Sequence, residues 1–383
     1  VWAAVTTFIN FETVLHNYFK QTSGIVRFLR QYFSLILAAF ILPITFYNSF
    51  LKLSPKRLIY SIRKVIYYSF VIVIIYSIIE ILVVKFNMIN LKKPLLNIFD
   101  YFPFVEAKTD LRLKRISSVT FEPPALGTYL ITIFSWMCSF IITSKSYFKF
   151  LPALLVIALA FVSGSRAAFF IIIVQAIIFV FAISQSYQYN KIFSKIVLTS
   201  VITISAGLLV YAPKIINYVD NEIQSFKLND DDHSLSNKSR FGIQYAMYQV
   251  FLDNPVIGTG YGQQAFDARS KYPSWAKRNN WEFRLKYLNQ NSKRFPPGYN
   301  LYLRLASETG ALGLLSFLLF MSYIMIWCYN NLKMQKNLLA IIIFVSMAGF
   351  MLNWLKMDTF RIYGFWICLA LIFVASNKKI SNV

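Results

Sequence analysis

Long apolar runs, separated by short basic segments and two long polar ones, recur along this chain. The runs lie near 28–50, 66–84, 125–142, 167–184, 194–212, 310–328, 337–353 and 361–376, with shorter ones at 1–16 and 151–163. A helix rising 1.5 Å per residue needs about 20 residues to cross about 30 Å of hydrocarbon. The pattern therefore predicts an all-α, polytopic integral membrane protein with about ten or more transmembrane helices. Segments 85–124 and 213–309 interrupt it, the second being expected to form a long external loop containing short helices. The expected organisation is N-terminal transmembrane helices over 1–212, the loop over 213–309, and C-terminal transmembrane helices over 310–383. The first residue is Val1, with no initiator Met and no charged leader region, so further residues are expected upstream.

Composition sharpens this picture. Of 383 residues, 57% are apolar and 18% aromatic, and the formal charge is +23. That is more apolar side chain than one soluble core can hide, which excludes disorder and a disulfide scaffold as well. Cys138, Cys328 and Cys368 all fall inside apolar runs and indicate no redox compartment. A strongly basic chain invites a nucleic-acid reading, but here the basic residues divide by topology. Segments 51–65, 143–150, 185–195 and 329–336 and the C-terminal tail carry only Lys and Arg as charged residues. They alternate correctly if all lie in the cytoplasm. The two long segments then lie outside, where their Lys and Arg suggest an anionic partner, while the acids among them make a mixed, solvated surface the reading for most of these residues.

Several local patterns carry chemistry. Ser163-Gly164-Ser165-Arg166 joins two apolar segments, the first too short to cross fully, so Arg166 is expected near membrane depth. Ser165 would cap a helix beginning at Ala167, whose N-terminus suits a phosphate; the alternative is an interfacial Arg on a tight turn. Asn237-Lys238-Ser239-Arg240 reads as a second cap, with Arg240 in the first turn or on an interfacial amphipathic helix. Glu122 precedes the helix from Ala125 and is either a general base or a favourable charge at that helix end. Glu80 is an acid inside an apolar run, pairing with Lys85, snorkelling outward or functional. Trp275, Trp281 and Tyr287 interleave with cations and suit aromatic stacking against sugars in an external loop. Arg304 and Glu308 stand at i, i+4 and can pair. The acidic run 230–233 is read as solvated, and Gly258-Thr259-Gly260-Tyr261-Gly262 as a loop.

Four segments in this order resemble the O-antigen polymerase and ligase superfamily of bacterial envelope proteins. They are Phe121-Glu122-Pro123-Pro124 with Gly127; Ser163-Gly164-Ser165-Arg166; Ser239-Arg240 with Asn254-Pro255-Val256-Ile257-Gly258 and Gly260-Tyr261-Gly262; and Asn300-Leu301-Tyr302-Leu303 with Glu308-Thr309-Gly310-Ala311-Leu312-Gly313. The resemblance implies transfer of a glycan from undecaprenyl pyrophosphate to a hydroxyl at the outer face of the bacterial inner membrane, with no nucleotide, metal or other cofactor. The implied partners are the undecaprenyl-pyrophosphate-linked oligosaccharide, membrane lipids and a chain-length regulator protein, with no nucleic acid.

By the same resemblance Arg166 and Arg240, supported by Arg115 and Arg304, hold the pyrophosphate. Ligases of the family carry His directly before the Asn matching Asn300; here the residue is Tyr299. A phenol titrating near 10 is a poor base at neutral pH, so Glu122 or Glu308 is the alternative proton acceptor, or little base help is needed. This departure favours polymerase over ligase. A flippase or other transporter is the competing class, although no inverted repeat of the kind such proteins show is found.

Overall fold

The computed structural model describes residues 1–97, 107–109, 111, 114–185, 189, 193–194, 234–335 and 338–378. All but the first residue of the apolar stretch 194–212 falls outside them, as does the acidic run 230–233. Among the described residues the only sheet is a two-stranded hairpin, Tyr18–Phe19 (β1) with Thr22–Ser23 (β2). The remaining regular structure is helical.

The helices are α1 (Trp2–Ile9), α2 (Phe11–His16), α3 (Gly24–Ile36), α4 (Leu42–Leu51), α5 (Pro55–Val84), α6 (Pro123–Thr143), α7 (Leu151–Val162) and α8 (Arg166–Ser184). They continue with α9 (Ser234–Asp253), α10 (Gln264–Lys271), α11 (Ser274–Lys277), α12 (Leu301–Gln335), α13 (Leu338–Asn353) and α14 (Tyr363–Lys378). Five spans are long and apolar enough to cross a membrane: Gly24–Leu51, Lys56–Val84, Pro123–Thr143, Arg166–Ser184 and Leu301–Leu332. Tyr147–Val162, Leu338–Asn353 and Tyr363–Asn377 are shorter apolar helices. This fits an all-α membrane protein, with eight apolar helices among the described residues where the pattern predicts about ten or more.

One expectation needs correction. Segment 51–65, expected as a short cytoplasmic connection between apolar helices, is mostly helical: Pro55 at the first helical position starts α5, which runs unbroken for 30 residues. Lys56, Arg57, Arg63 and Lys64 thus extend a helix beyond its apolar part. Charged residues one turn apart do not stop a helix, and only Lys52 to Ser54 separate α4 from α5.

By its internal contacts the chain divides into two compact units. One comprises residues 1–42, 197–324 and 354–361; the other comprises 43–196, 325–353 and 362–383. In the second, α6, α8 and α13 pack on one another. Residues 338–350 of α13 are all buried, as expected of a helix apolar all round. Polar groups fix its register. Ser135 and Ser346 share a hydroxyl hydrogen bond of 2.5 Å. The Gln175 amide donates to the carbonyls of Ile131 (3.1 Å) and Val345 (3.2 Å), one on each neighbouring helix. Such bonds contribute about 0.6 kcal/mol each inside a membrane and mainly select one alignment.

In the first unit, Ile243, Ala246, Met247 and Val250 form one face of α9 at helical spacing. They pack with Ala268, Tyr272, Ala276, Phe283 and Tyr287. The long helix α12 is broken at Gly310, whose φ of 67° and ψ of −174° are not helical. A break in an apolar helix leaves backbone groups that lipid cannot satisfy, and the glycine loop 255–260 satisfies them. Thr259 N–H donates to Ser307 O and Gly260 N–H to Glu308 O, both at 3.0 Å, and Ala311 N–H donates to Pro255 O at 2.8 Å. A Cβ on Gly310 would lie 2.1 Å from the Val256 carbonyl oxygen, so the backbones meet too closely for any other residue.

Candidate functional site

The turn between α7 and α8 is built from Ser163-Gly164-Ser165. Gly164 takes φ 68°, the left-handed conformation that ends many helices. Ser163 Oγ donates to Ala160 O (2.7 Å) and accepts from the Ser165 amide (3.2 Å), and both serines are buried. The helix begins at Arg166 rather than Ala167, and Ser165 occupies the N-cap position without a side-chain cap bond. The serine that organises the turn is therefore Ser163. Arg166 is half-buried in the first turn of α8. Arg115, 49 residues away in sequence, reaches this turn and donates from Nη2 to Gly164 O at 2.9 Å. Two cations thereby join at a helix N-terminus, where dipole and amides favour an anion. Glu122 is exposed at the N-cap of α6 and makes no side-chain cap bond.

Gly164→Ala tests the turn. A Cβ there would lie 3.3 Å from Arg115 Nε, and the φ would be strained at about 1 kcal/mol or more. The expected outcome is a folded protein whose thermal midpoint in detergent falls by about 1–2 °C.

In the other unit, α9 starts at Ser234, so Ser239 is not a cap and Arg240 is not in a first turn. Ser239 is buried and accepts from Asn280 Nδ2 at 2.9 Å, a tertiary bond that sequence spacing could not reveal. Arg240 is exposed, with its guanidinium 5.5 Å from the centre of the Tyr299 ring. Tyr299 shares a hydroxyl hydrogen bond of 2.8 Å with Tyr287 and accepts from Gln244 Nε2 at its carbonyl (3.2 Å). Its φ is 56°. A left-handed backbone is rare and costly for a bulky residue, and such strain gathers at functional sites. The next residue, Asn300, accepts from Leu303 N–H at 3.1 Å and so caps α12.

Tyr287 was expected to offer a ring face to glycan. It is instead 6% exposed and packed edge-on against Phe283, leaving its hydroxyl for Tyr299. Burial, followed by the neighbouring Tyr299 hydroxyl, raises its pKa above the usual phenol value. Beneath this segment the buried Lys20 ammonium donates to the carbonyls of Lys286, Asn289 (3.1 Å) and Ser292 (3.2 Å), and burial lowers its pKa. Trp275 and Trp281 are exposed, and Lys286 Nζ stands 4.5 Å from the Trp281 ring centre.

Arg304 and Glu308 are both buried and paired, Nε to Oε2 at 3.1 Å, as their spacing suggests. Arg304 also donates to Asp358 O (2.8 Å) and Gln31 Oε1 (3.2 Å) and lies 5.4 Å from the Tyr261 ring centre. Burial pushes the Tyr261 phenol up to about 12. Asp358 Oδ2 accepts from Gly298 N–H at 2.7 Å, fixing the residue before Tyr299. Sequence reading missed Asp358 and Gln31. The available signal for Asp358 was an acid isolated between two apolar runs.

Residues 151–318 match the family model described as O-antigen ligase. The match includes Arg166, Arg240, Tyr299, Arg304 and Glu308, while Arg115 and Glu122 precede it. Over that stretch the chain is similar to this family. No curated protein matches the chain significantly.

Proposed function

We propose that this protein is an O-antigen or related surface-polysaccharide polymerase. A hydroxyl of an incoming lipid-linked repeat unit attacks the anomeric carbon of the growing glycan. The carbon–oxygen bond to phosphate breaks, undecaprenyl pyrophosphate leaves with the bonding electrons, and the hydroxyl proton passes to solvent or to the departing phosphate. The reading places the reaction at the outer face of the bacterial inner membrane. It gives phosphate-binding roles to Arg115, Arg166 and Arg240, because charge accumulates on the leaving group. Exposed Trp275 and Trp281 offer faces to sugars. Arg304 and Glu308, buried and occupied with each other, are assigned to holding the segment that carries Tyr299. Of the two carboxylates considered as proton acceptors, Glu122 is exposed and Glu308 is buried.

The observation that carries the polymerase reading is Tyr299. The residue before Asn300 is a phenol in a strained backbone, bonded to a tyrosine whose proton burial retains. It serves as a hydrogen-bonding and stacking group beside Arg240 rather than as a base. A raised pKa keeps Tyr287 neutral as pH rises, so the hydroxyl pair persists below the ordinary phenol range near 10. Transfer rate measured from about pH 7 to about pH 9.5 should show no limb that depends on Tyr299. A limb in this range that disappears in Tyr299→Phe would remove the reading.

Purified protein given lipid-linked repeats should release undecaprenyl pyrophosphate and form a glycan ladder. In a deletion strain, loss of polymerase leaves single repeats on the lipopolysaccharide. Bare core would instead favour the ligase, and lipid movement without bond formation a transporter.

A further inference from the structure

Glu80 has no role in the reading above, yet it is a carboxylate with 0% exposure on α5. Two successive backbone amides converge on it. Ser117 N–H donates to Oε1 at 3.2 Å and Ser118 N–H to Oε2 at 2.7 Å. The Ser117 hydroxyl also lies 3.3 Å from Oε1, but its single proton has a better acceptor in Lys108 O at 2.6 Å. Adjacent amides turned toward one anion form the concave cradle that commonly binds anions in proteins. Here the anion is supplied by the protein itself.

The consequence for the chain is specific. Ser118 holds a left-handed φ of 53°, and its hydroxyl donates to Val73 O of α5 at 3.0 Å. Ile116, Ser117 and Ser118 are all buried. A short irregular segment is thereby fastened to one face of α5. Arg115 leaves that segment two residues before the first clamped amide and reaches the Gly164 carbonyl. A carboxylate fully removed from solvent is costly unless several donors satisfy it, so its placement requires an account beyond helix formation.

We infer that Glu80 is a positioning residue: by clamping the Ser117 and Ser118 amides it holds Arg115 at the Ser163–Arg166 turn. This rests on the proposed phosphate-binding role of that turn only for its effect on catalysis; the placement of Arg115 is independent of it. Glu80→Gln keeps the size and one acceptor oxygen but sets an NH2 group against an amide N–H.

The full chain in detergent, wild type and Glu80→Gln, is treated with trypsin and cleavage is followed by mass spectrometry. Cutting after Arg115 requires that side chain to leave Gly164, so Glu80→Gln should raise cleavage there about tenfold or more. Cleavage after Lys293 is the internal control for an intact fold. Equal cleavage after Arg115 in both proteins overturns the inference. So does a rise at both sites, which would mean general loosening.

The second arm uses lipid-linked repeats as substrate. kcat/KM should fall about tenfold or more in Glu80→Gln, and similarly in Arg115→Ala. The double variant should be no worse than the poorer single one, because residues acting through one another are not additive. Additive effects, or an unchanged kcat/KM, overturn the positioning role in catalysis. If the wild type transfers no glycan at all, the polymerase reading fails while the cleavage result still decides whether Glu80 places Arg115.

Discussion

Replacing Arg240 by alanine is expected to lower glycan transfer by about 10²- to 10³-fold while leaving the fold intact. The magnitude is that of removing one donor aimed at charge that develops in a transition state. The structural side of the expectation is that Arg240 is exposed on α9 and contributes nothing to the core of that helix, which lies on Ile243, Ala246, Met247 and Val250. Tyr299, whose ring the Arg240 guanidinium approaches, is half-buried and held by Tyr287 and Gln244 without it. Arg240→Lys keeps the charge but not the planar fork, so partial activity is expected, with most of the deficit remaining. Release of undecaprenyl pyrophosphate from lipid-linked repeats measures both variants. Wild-type rates in Arg240→Ala would remove this residue from the site.

Glu308→Ala should produce the largest loss of stability, about 3–5 kcal/mol, because it strands the buried Arg304 guanidinium. In a chain of this size that is a fall of roughly 4–6 °C in the thermal midpoint in detergent. Arg304 retains bonds to Asp358 O and Gln31, so the segment would loosen rather than unfold first. Because Asp358 also holds the Gly298 amide, Tyr299 should lose its strained backbone and activity should fall with stability. The double change Arg304→Met with Glu308→Leu is expected to recover most of the stability and little of the activity, since a buried ion pair often matches a hydrophobic pair in stability without reproducing its hydrogen bonds. A single Glu308→Ala variant as stable as wild type would show that the pair does not bear on the fold.

Both experiments turn on interactions that spacing in the sequence revealed only in part. The Arg304 and Glu308 pairing was legible because residues four apart share a helix face. Its link to Asp358 was not, because that acid arrives from a segment 54 residues after Arg304. Ser165 and Ser239 both read as caps, and neither side chain makes a cap bond. One is replaced by Ser163 reaching forward, and the other is buried mid-helix against Asn280. Tyr287 stands among cations and aromatics as a sugar-stacking ring would, yet it is buried and packed against Phe283.

What the sequence determined by itself is the helical membrane character, the order of the apolar segments and the four short patterns that carry the family resemblance. These follow from local rules: backbone groups in lipid must be satisfied within a helix, and cap, glycine and proline preferences act over a few residues. Only the tertiary structure decided that Arg115 meets the Gly164 turn, that Glu80 holds the segment bearing Arg115, and that Tyr299 stands between Arg240 and Tyr287. Each of these contacts joins residues from different elements. The free energy that selects them comes from satisfying buried polar groups after the helices have packed, and no periodicity along a single element carries that information.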